Sequence, residues 1–153
     1  MLKNIKGFSL IEILVTIGLL AIVMIGILKV FILCSFQTNL AGNLSSAMTE
    51  VQNKLEEIRN YTYDNIVTDY SSGGTKGNTF SLTLVTGKGI IYIDNSNSSL
   101  LKIKITASWK NKNNRIVGED LDLDGVLDSG EDANGNGQLD SPAFVETYLS
   151  KKT

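Results

Sequence analysis

The chain has 153 residues, 42% hydrophobic and 20% charged, with one proline, one cysteine and no histidine; that is the length of a single domain. Without histidine there is no imidazole base and no His-containing zinc site, and one cysteine excludes both an internal disulfide and an all-cysteine zinc site. A net charge of -2 conceals an uneven distribution, because positions 119 to 140 hold eight acids and no base, leaving eight acids against 14 bases elsewhere.

The first element is a hydrophobic block. From Phe8 to Leu28 the sequence reads FSLIEILVTIGLLAIVMIGIL, interrupted only by Ser9, Glu12, Thr16 and two glycines. At ~1.5 Å per residue this run spans ~30 Å, the thickness of a bilayer's hydrocarbon core. Lys3 and Lys6 precede it, so the positive-inside rule keeps the N-terminus cytoplasmic and sends everything after Phe36 outward. A secretory signal peptide fits poorly: the stretch exceeds an h-region and no small-x-small cleavage site closes it. Glu12 stands out, since an ionised side chain costs ~2.5 to 3.5 kcal/mol at the membrane centre and less near its edge. A carboxylate there needs a partner.

A short basic leader ending in glycine, then Gly7-Phe8-Ser9-Leu10-Ile11-Glu12 and an apolar helix, resembles the class III signal of type IV pilins and type II secretion pseudopilins. The resemblance implies that a membrane-embedded prepilin peptidase cuts between Gly7 and Phe8 and methylates the new amine of Phe8. It also implies that Glu12 acts in assembly, as counter-ion to the terminal ammonium of a neighbouring subunit. The expected partners are other pilin or pseudopilin subunits, the peptidase, the inner-membrane assembly machinery and the lipid bilayer. Within the family the chain looks most like a PilV-like or I-type minor pilin, whose apolar helix precedes a compact sheet with a Trp-bearing strand. It departs from many major pilins in having no proline in the apolar segment, where Gly18 and Gly26 are the weak points.

From Gln37 to Asn60 the apolar residues Leu40, Leu44, Met48, Val51, Leu55 and Ile58 recur at steps of three and four, the stripe of an amphipathic helix. Glu50 and Lys54 are spaced for an i,i+4 pair. The helix is predicted to run unbroken to about Asn60, with Gly42 as a hinge.

After Tyr61 short β-patterned runs alternate with polar turns. Thr79–Thr86 is predicted to pair with Ile90–Ile93 across a turn at Gly87-Lys88-Gly89. In Leu100–Lys110, Leu101, Ile103, Ile105, Ala107 and Trp109 share one face, predicted to be core, while Lys102, Lys104, Thr106, Ser108 and Lys110 share a wet one. A turn at Asn111–Asn114, a return from Arg115 to Val117 and a last strand, Phe144–Ser150, complete an antiparallel meander. The fold class is α+β.

The acidic segment is a repeat. EDLDLDGVLDSG at 119–130 aligns without a gap on EDANGNGQLDSP at 131–142. The first unit supplies Asp120, Asp122, Asp124, Gly125, the backbone carbonyl of Val126, Asp128 and Glu131, matching the EF-hand loop template. Leu127 is expected to tuck the loop down. The second unit supplies Asp132, Asn134, Asn136, Gln138 through its carbonyl, and Asp140, but Ala143 stands at the closing position, with Glu146 the nearest acid beyond it. Alternating oxygens that wrap a hard cation point to calcium, since magnesium keeps more of its waters. No helix pattern precedes Asp120, so the repeat is similar to the EF-hand-like loops of dockerin and thrombospondin repeats.

The organisation expected is a removable leader at 1–7, a membrane and filament-core helix at 8–36, its amphipathic continuation at 37–60, and a sheet domain at 61–153 carrying the calcium loop 119–142. The function expected is a structural minor pilin or pseudopilin, anchored in the cytoplasmic membrane and then built into an extracellular or periplasmic filament. The alternative is a membrane-anchored calcium-binding surface protein that never polymerises. An enzyme is not expected, because no nucleophile, base or pocket signature accompanies the acids. No basic aromatic stripe indicates a nucleic-acid partner.

Overall fold

The computed structural model describes residue 7 and residues 9–151; Phe8 and positions 1–6 of the expected leader lie outside the described residues. The chain forms two compact units, Met1–Asn39 and Leu40–Thr153. Helix α1, Leu10–Arg59, contributes residues to both. In the first unit its large apolar side chains from Leu10 to Leu33 are all at least 50% exposed, and Glu12 is exposed among them. The Ser9 carbonyl accepts the first N–H groups, from Glu12 at 3.0 Å and Ile13 at 3.2 Å. Among the described residues α1 is the one helix long and apolar enough to cross a membrane. An outward-facing apolar surface of that length suits hydrocarbon, not water.

In the second unit the helix buries Ala47, Val51, Leu55 and Ile58, a stripe at helical spacing. Ala47 takes the place expected of Leu44, which is exposed. The stripe packs on Leu101, Ile103, Ile105, Ala107 and Trp109 in one cluster. Each large aliphatic so buried contributes about 1.5 to 3 kcal/mol. A short second helix, α2 (Tyr63–Tyr70), adds Ile66 and Tyr70 to the same core. The pattern of α2 is hidden in the sequence, because one β-branched run, Ile66-Val67-Thr68, inside eight residues fits a strand equally well.

The sheet comprises β1 (Thr79–Ser81), β2 (Gly87–Asn97), β3 (Leu100–Lys110), β4 (Ile116–Val117) and β5 (Ala143–Ser150), ordered β1-β2-β3-β4 with β5 also on β3. All pairings are antiparallel. The long α1 packed on a small antiparallel sheet is the α+β architecture expected. The β1–β2 hairpin forms, but its turn is at 82–86, and Gly87-Lys88-Gly89 lies inside β2. Gly89 sits directly across from Phe80, whose ring lies where a Cβ would project. Gly89 there makes room for an aromatic, and neither glycine forms the turn.

Glu50 corrects a second expectation. It does not pair with Lys54; its carboxylate reaches from α1 to the hairpin turn and accepts the N–H of Thr83 at 2.7 Å and of Leu84 at 2.6 Å. Lys54 pairs with Glu57 instead, at 2.6 Å.

β3 alternates as predicted on its inner face, and Trp109 is buried there. Its outer face is not simply wet, because Thr106 and Ser108 are buried and Lys104 is mostly covered. The cause lies at the sheet edge. β4 pairs with Trp109 and Lys110, and β5 takes up the same edge from Ala107 onward. Opposite Ser108 the chain leaves the edge, and residues 118–142 form the acidic loop.

Candidate functional site

The loop is closed at its neck by its own backbone. The N–H of Glu119 donates to the Asp140 carbonyl at 2.8 Å, and the Glu119 carboxylate accepts the Asp140 N–H at 2.8 Å and the Ala133 N–H at 3.2 Å. Register in the sheet then sets a platform, since Tyr92 faces Lys104 and Ile90 faces Thr106 across β2 and β3. The Tyr92 hydroxyl accepts the Leu139 N–H at 2.7 Å, and the Thr106 hydroxyl donates to the Leu139 carbonyl at 2.9 Å. Lys104 reaches both the Gln138 side-chain oxygen at 2.7 Å and Asp140 at 2.6 Å. Ile90 and Leu139 are buried together with this contact, outside the cluster that packs on α1.

The expected tuck is therefore made by Leu139, and Leu127, at the matching position of the first unit, is exposed. The sequence reading missed Glu119, Tyr92 and Lys104 as anchors. Only the alternation that put Lys104 and Thr106 on one face hinted at Lys104, and nothing hinted at Glu119 or Tyr92.

Both units build the same local turn. Gly125 N–H donates to Asp120 Oδ2 at 3.1 Å, and Gly137 N–H donates to Asp132 Oδ2 at 2.7 Å. Backbone φ follows suit, with Gly125 at 81° and Gly137 at 75°, Leu123 at 64° and Gly135 at 73°. In the first unit Asp120, Asp122 and Asp124 each place a carboxylate oxygen within 4.8 Å of the others. Among the described residues this is the group that can hold a metal ion. Glu131 is buried beside them, its two oxygens accepting the N–H of Leu121 at 2.7 Å and of Asp128 at 3.1 Å. Val126 is exposed and gives its N–H to Asp124 at 2.7 Å.

The second unit gathers Asp132, Asn134, Asn136 and Asp140 into its own network, while Gln138 turns its side chain to Lys104. Glu146 lies on β5 and pairs with Lys102 at 3.1 Å.

Asp120 is wholly buried, and its Oδ1 has no hydrogen-bond partner among the described residues. Burial pushes its carboxyl above the ordinary range, the N–H groups of Leu123 and Gly125 oppose this, and the charges of Glu131 and Asp122 add to it. A buried carboxylate oxygen with no donor, on a residue grouped with other carboxylates, is a costly arrangement that a divalent cation would relieve. The donor set is all oxygen, which suits a hard cation and not a thiophilic one. By contrast Asp140 is held below its usual range, first by the Lys104 ammonium and then by the Asn134 and Asn136 amides, with burial opposing.

At the other end of the chain, the glutamate of the expected processing segment lies exposed on the apolar helix, two residues into α1. Residues 2–28 match the model of the prokaryotic N-terminal methylation motif. The methylation motif and the apolar helix that it overlaps point to a type IV pilin-like N-terminal segment, and the helix fits anchoring in a membrane. The match ends within α1, before the sheet and the acidic repeat. No curated protein and no solved structure was found to match the chain.

Proposed function

We propose that the chain is a minor pilin or pseudopilin subunit, cut by a prepilin peptidase between Gly7 and Phe8, methylated on Phe8, and assembled through α1 into a type IV pilus or type II secretion-like filament. The methylation motif over residues 2–28 carries the proposal. Glu12 supports it: an exposed acid on an apolar helix has an account once the terminal ammonium of a neighbouring Phe8 is its partner. Before assembly the subunit is held in the cytoplasmic membrane with its N-terminus inside. The test is N-terminal sequencing and intact mass of protein from native membranes, which should begin at methylated Phe8. A chain beginning at Met1, or cut after Cys34, would remove the assignment.

The same proposal gives the acidic loop a calcium ion in its first unit, with Asp120, Asp122, Asp124, Asp128 and Glu131 as carboxylate ligands and Val126 as a carbonyl ligand. Its support is the buried, partnerless Asp120 Oδ1. When bound, the ion supplies positive charge that joins carboxylates otherwise set against one another. The chain's own work is done by the neck at Glu119 and Asp140 and by Tyr92, Lys104 and Thr106, which hold the loop to the sheet.

A further inference from the structure

The two units of the repeat share their backbone turns but differ in what meets at their centres. At the third and fifth positions a side-chain oxygen accepts the N–H two residues on: Asp122 from Asp124 at 3.2 Å and Asp124 from Val126 at 2.7 Å, then Asn134 from Asn136 at 3.0 Å and Asn136 from Gln138 at 2.8 Å. In an asparagine this use of Oδ1 leaves a donor, Nδ2, on the other branch; in an aspartate it leaves a second acceptor. The backbone bonds thus fix which way each amide points.

In the second unit both Nδ2 groups donate to Asp140 Oδ2, each at 2.7 Å, while Lys104 takes Asp140 Oδ1 at 2.6 Å. That network closes on itself. In the first unit the residues at the same three positions are Asp122, Asp124 and Asp128, so acceptors stand where the second unit has donors. Asp120 Oδ1 is buried there with no donor among the described residues. The twelfth positions differ too. Glu131 turns into the first unit, whereas Ala143 is the first residue of β5, wholly buried and paired with Ala107, with no room for a closing carboxylate.

We infer, resting on the calcium reading above, that the repeat takes one divalent cation and not two: the first unit binds it, and the second is its metal-free counterpart, in which two asparagine amides and Lys104 do the work of the ion. The second unit fastens the loop to the sheet whatever the calcium level, and only the first responds to the metal.

The test is ion stoichiometry on the full-length chain in detergent, by native mass spectrometry and calorimetric titration with calcium chloride. The unaltered chain should bind one ion, and Asp122→Ala should bind none. The double variant Asn134→Ala with Asn136→Ala removes both amide donors from Asp140 and should still bind one ion, since neither amide touches the metal. Two ions on the unaltered chain, or none on a folded double variant, overturn the inference while leaving calcium binding intact. No ion on the unaltered chain overturns both. Should the double variant not fold, Lys104→Met decides: its loss of melting temperature should be the same in calcium and in chelator. A loss seen only in calcium would put the second unit in the metal site and overturn the inference.

Discussion

Leu123 carries a φ of 64°, in the left-handed region where the Cβ of an L-residue crowds the following carbonyl oxygen, at a cost of roughly 1 to 2 kcal/mol. Twelve positions on, Gly135 takes the same conformation without that crowding. Leu123→Gly should therefore relax the first unit, offset by the ~0.4 to 1 kcal/mol of extra freedom that glycine gives the unfolded chain. The expected net effect is a stabilisation below about 1 kcal/mol, read from melts of the full chain in chelator; a clear destabilisation would mean that packing of the leucine outweighs its strain. Gly125→Ala should go the other way. Its φ is 81°, and a Cβ would come within 2.8 Å of Thr79 Cγ2, so a loss of about 1 to 3 kcal/mol is expected. At Glu12 the consequence is in assembly. Glu12→Val should leave insertion and cleavage intact and abolish incorporation beside partner subunits; wild-type amounts in sheared filaments would remove the counter-ion role.

Between elements, side chains of α1 tie it to α2 and to the β1–β2 hairpin. Glu57 on α1 accepts the Tyr70 hydroxyl of α2 at 2.8 Å and is held below the usual glutamate range, first by the Lys54 ammonium, with burial opposing. A carboxyl lowered in the folded state contributes stability that is present above its unfolded value and lost as pH falls through the folded one. Glu57→Gln should thus flatten the stability profile below about pH 4.5 and leave its shape near neutrality unchanged, as melts across that range would show. Glu50→Ala should loosen the hairpin turn by about 1.5 to 3 kcal/mol, because charge-assisted bonds to Thr83 and Leu84 are lost.

The same elements show how far the sequence carries. β3 was legible because alternation is visible when one face is uniformly apolar, and Val51, Leu55 and Ile58 because about five turns of helix, from Leu40 to Ile58, repeat the pattern. The hairpin turn was misplaced because Gly-Lys-Gly signals a turn equally well as a strand yielding to Phe80, and only the partner strand decides between them. Glu50 was paired locally because its true donors lie 33 residues away or more. In the loop the template marked Asp120, Asp122 and Asp124, but nothing in it marks Lys104 or Tyr92, which belong to other strands.

At the scale of the whole sheet unit, the acidic loop interrupts one edge strand, leaving β4 and resuming at β5 on the same side of β3. Whatever orders residues 118–142 therefore shortens the path between β4 and β5 and reduces the entropy of bringing β5 to its place. The second unit already does this without metal through Leu139, Asp140 and the Glu119 clasp, so the unit should be folded in chelator. Calcium should then add to its stability, because an ion that binds the folded state far better than the unfolded one stabilises by RT ln(1 + [L]/Kd), about 2.7 kcal/mol at a hundredfold excess over Kd. Melts of the full chain in detergent should rise with free calcium, with magnesium a poor substitute. Asp120→Ala and Glu131→Ala should each remove most of the rise. Asn134→Ala should lower stability by a similar amount with and without calcium, since its amide bonds Asp140 and not the ion. A melting curve indifferent to calcium at millimolar concentration, with the chain otherwise folded, would leave the first unit an acidic turn held by backbone alone, and the orphaned oxygen of Asp120 would then have to be satisfied by water.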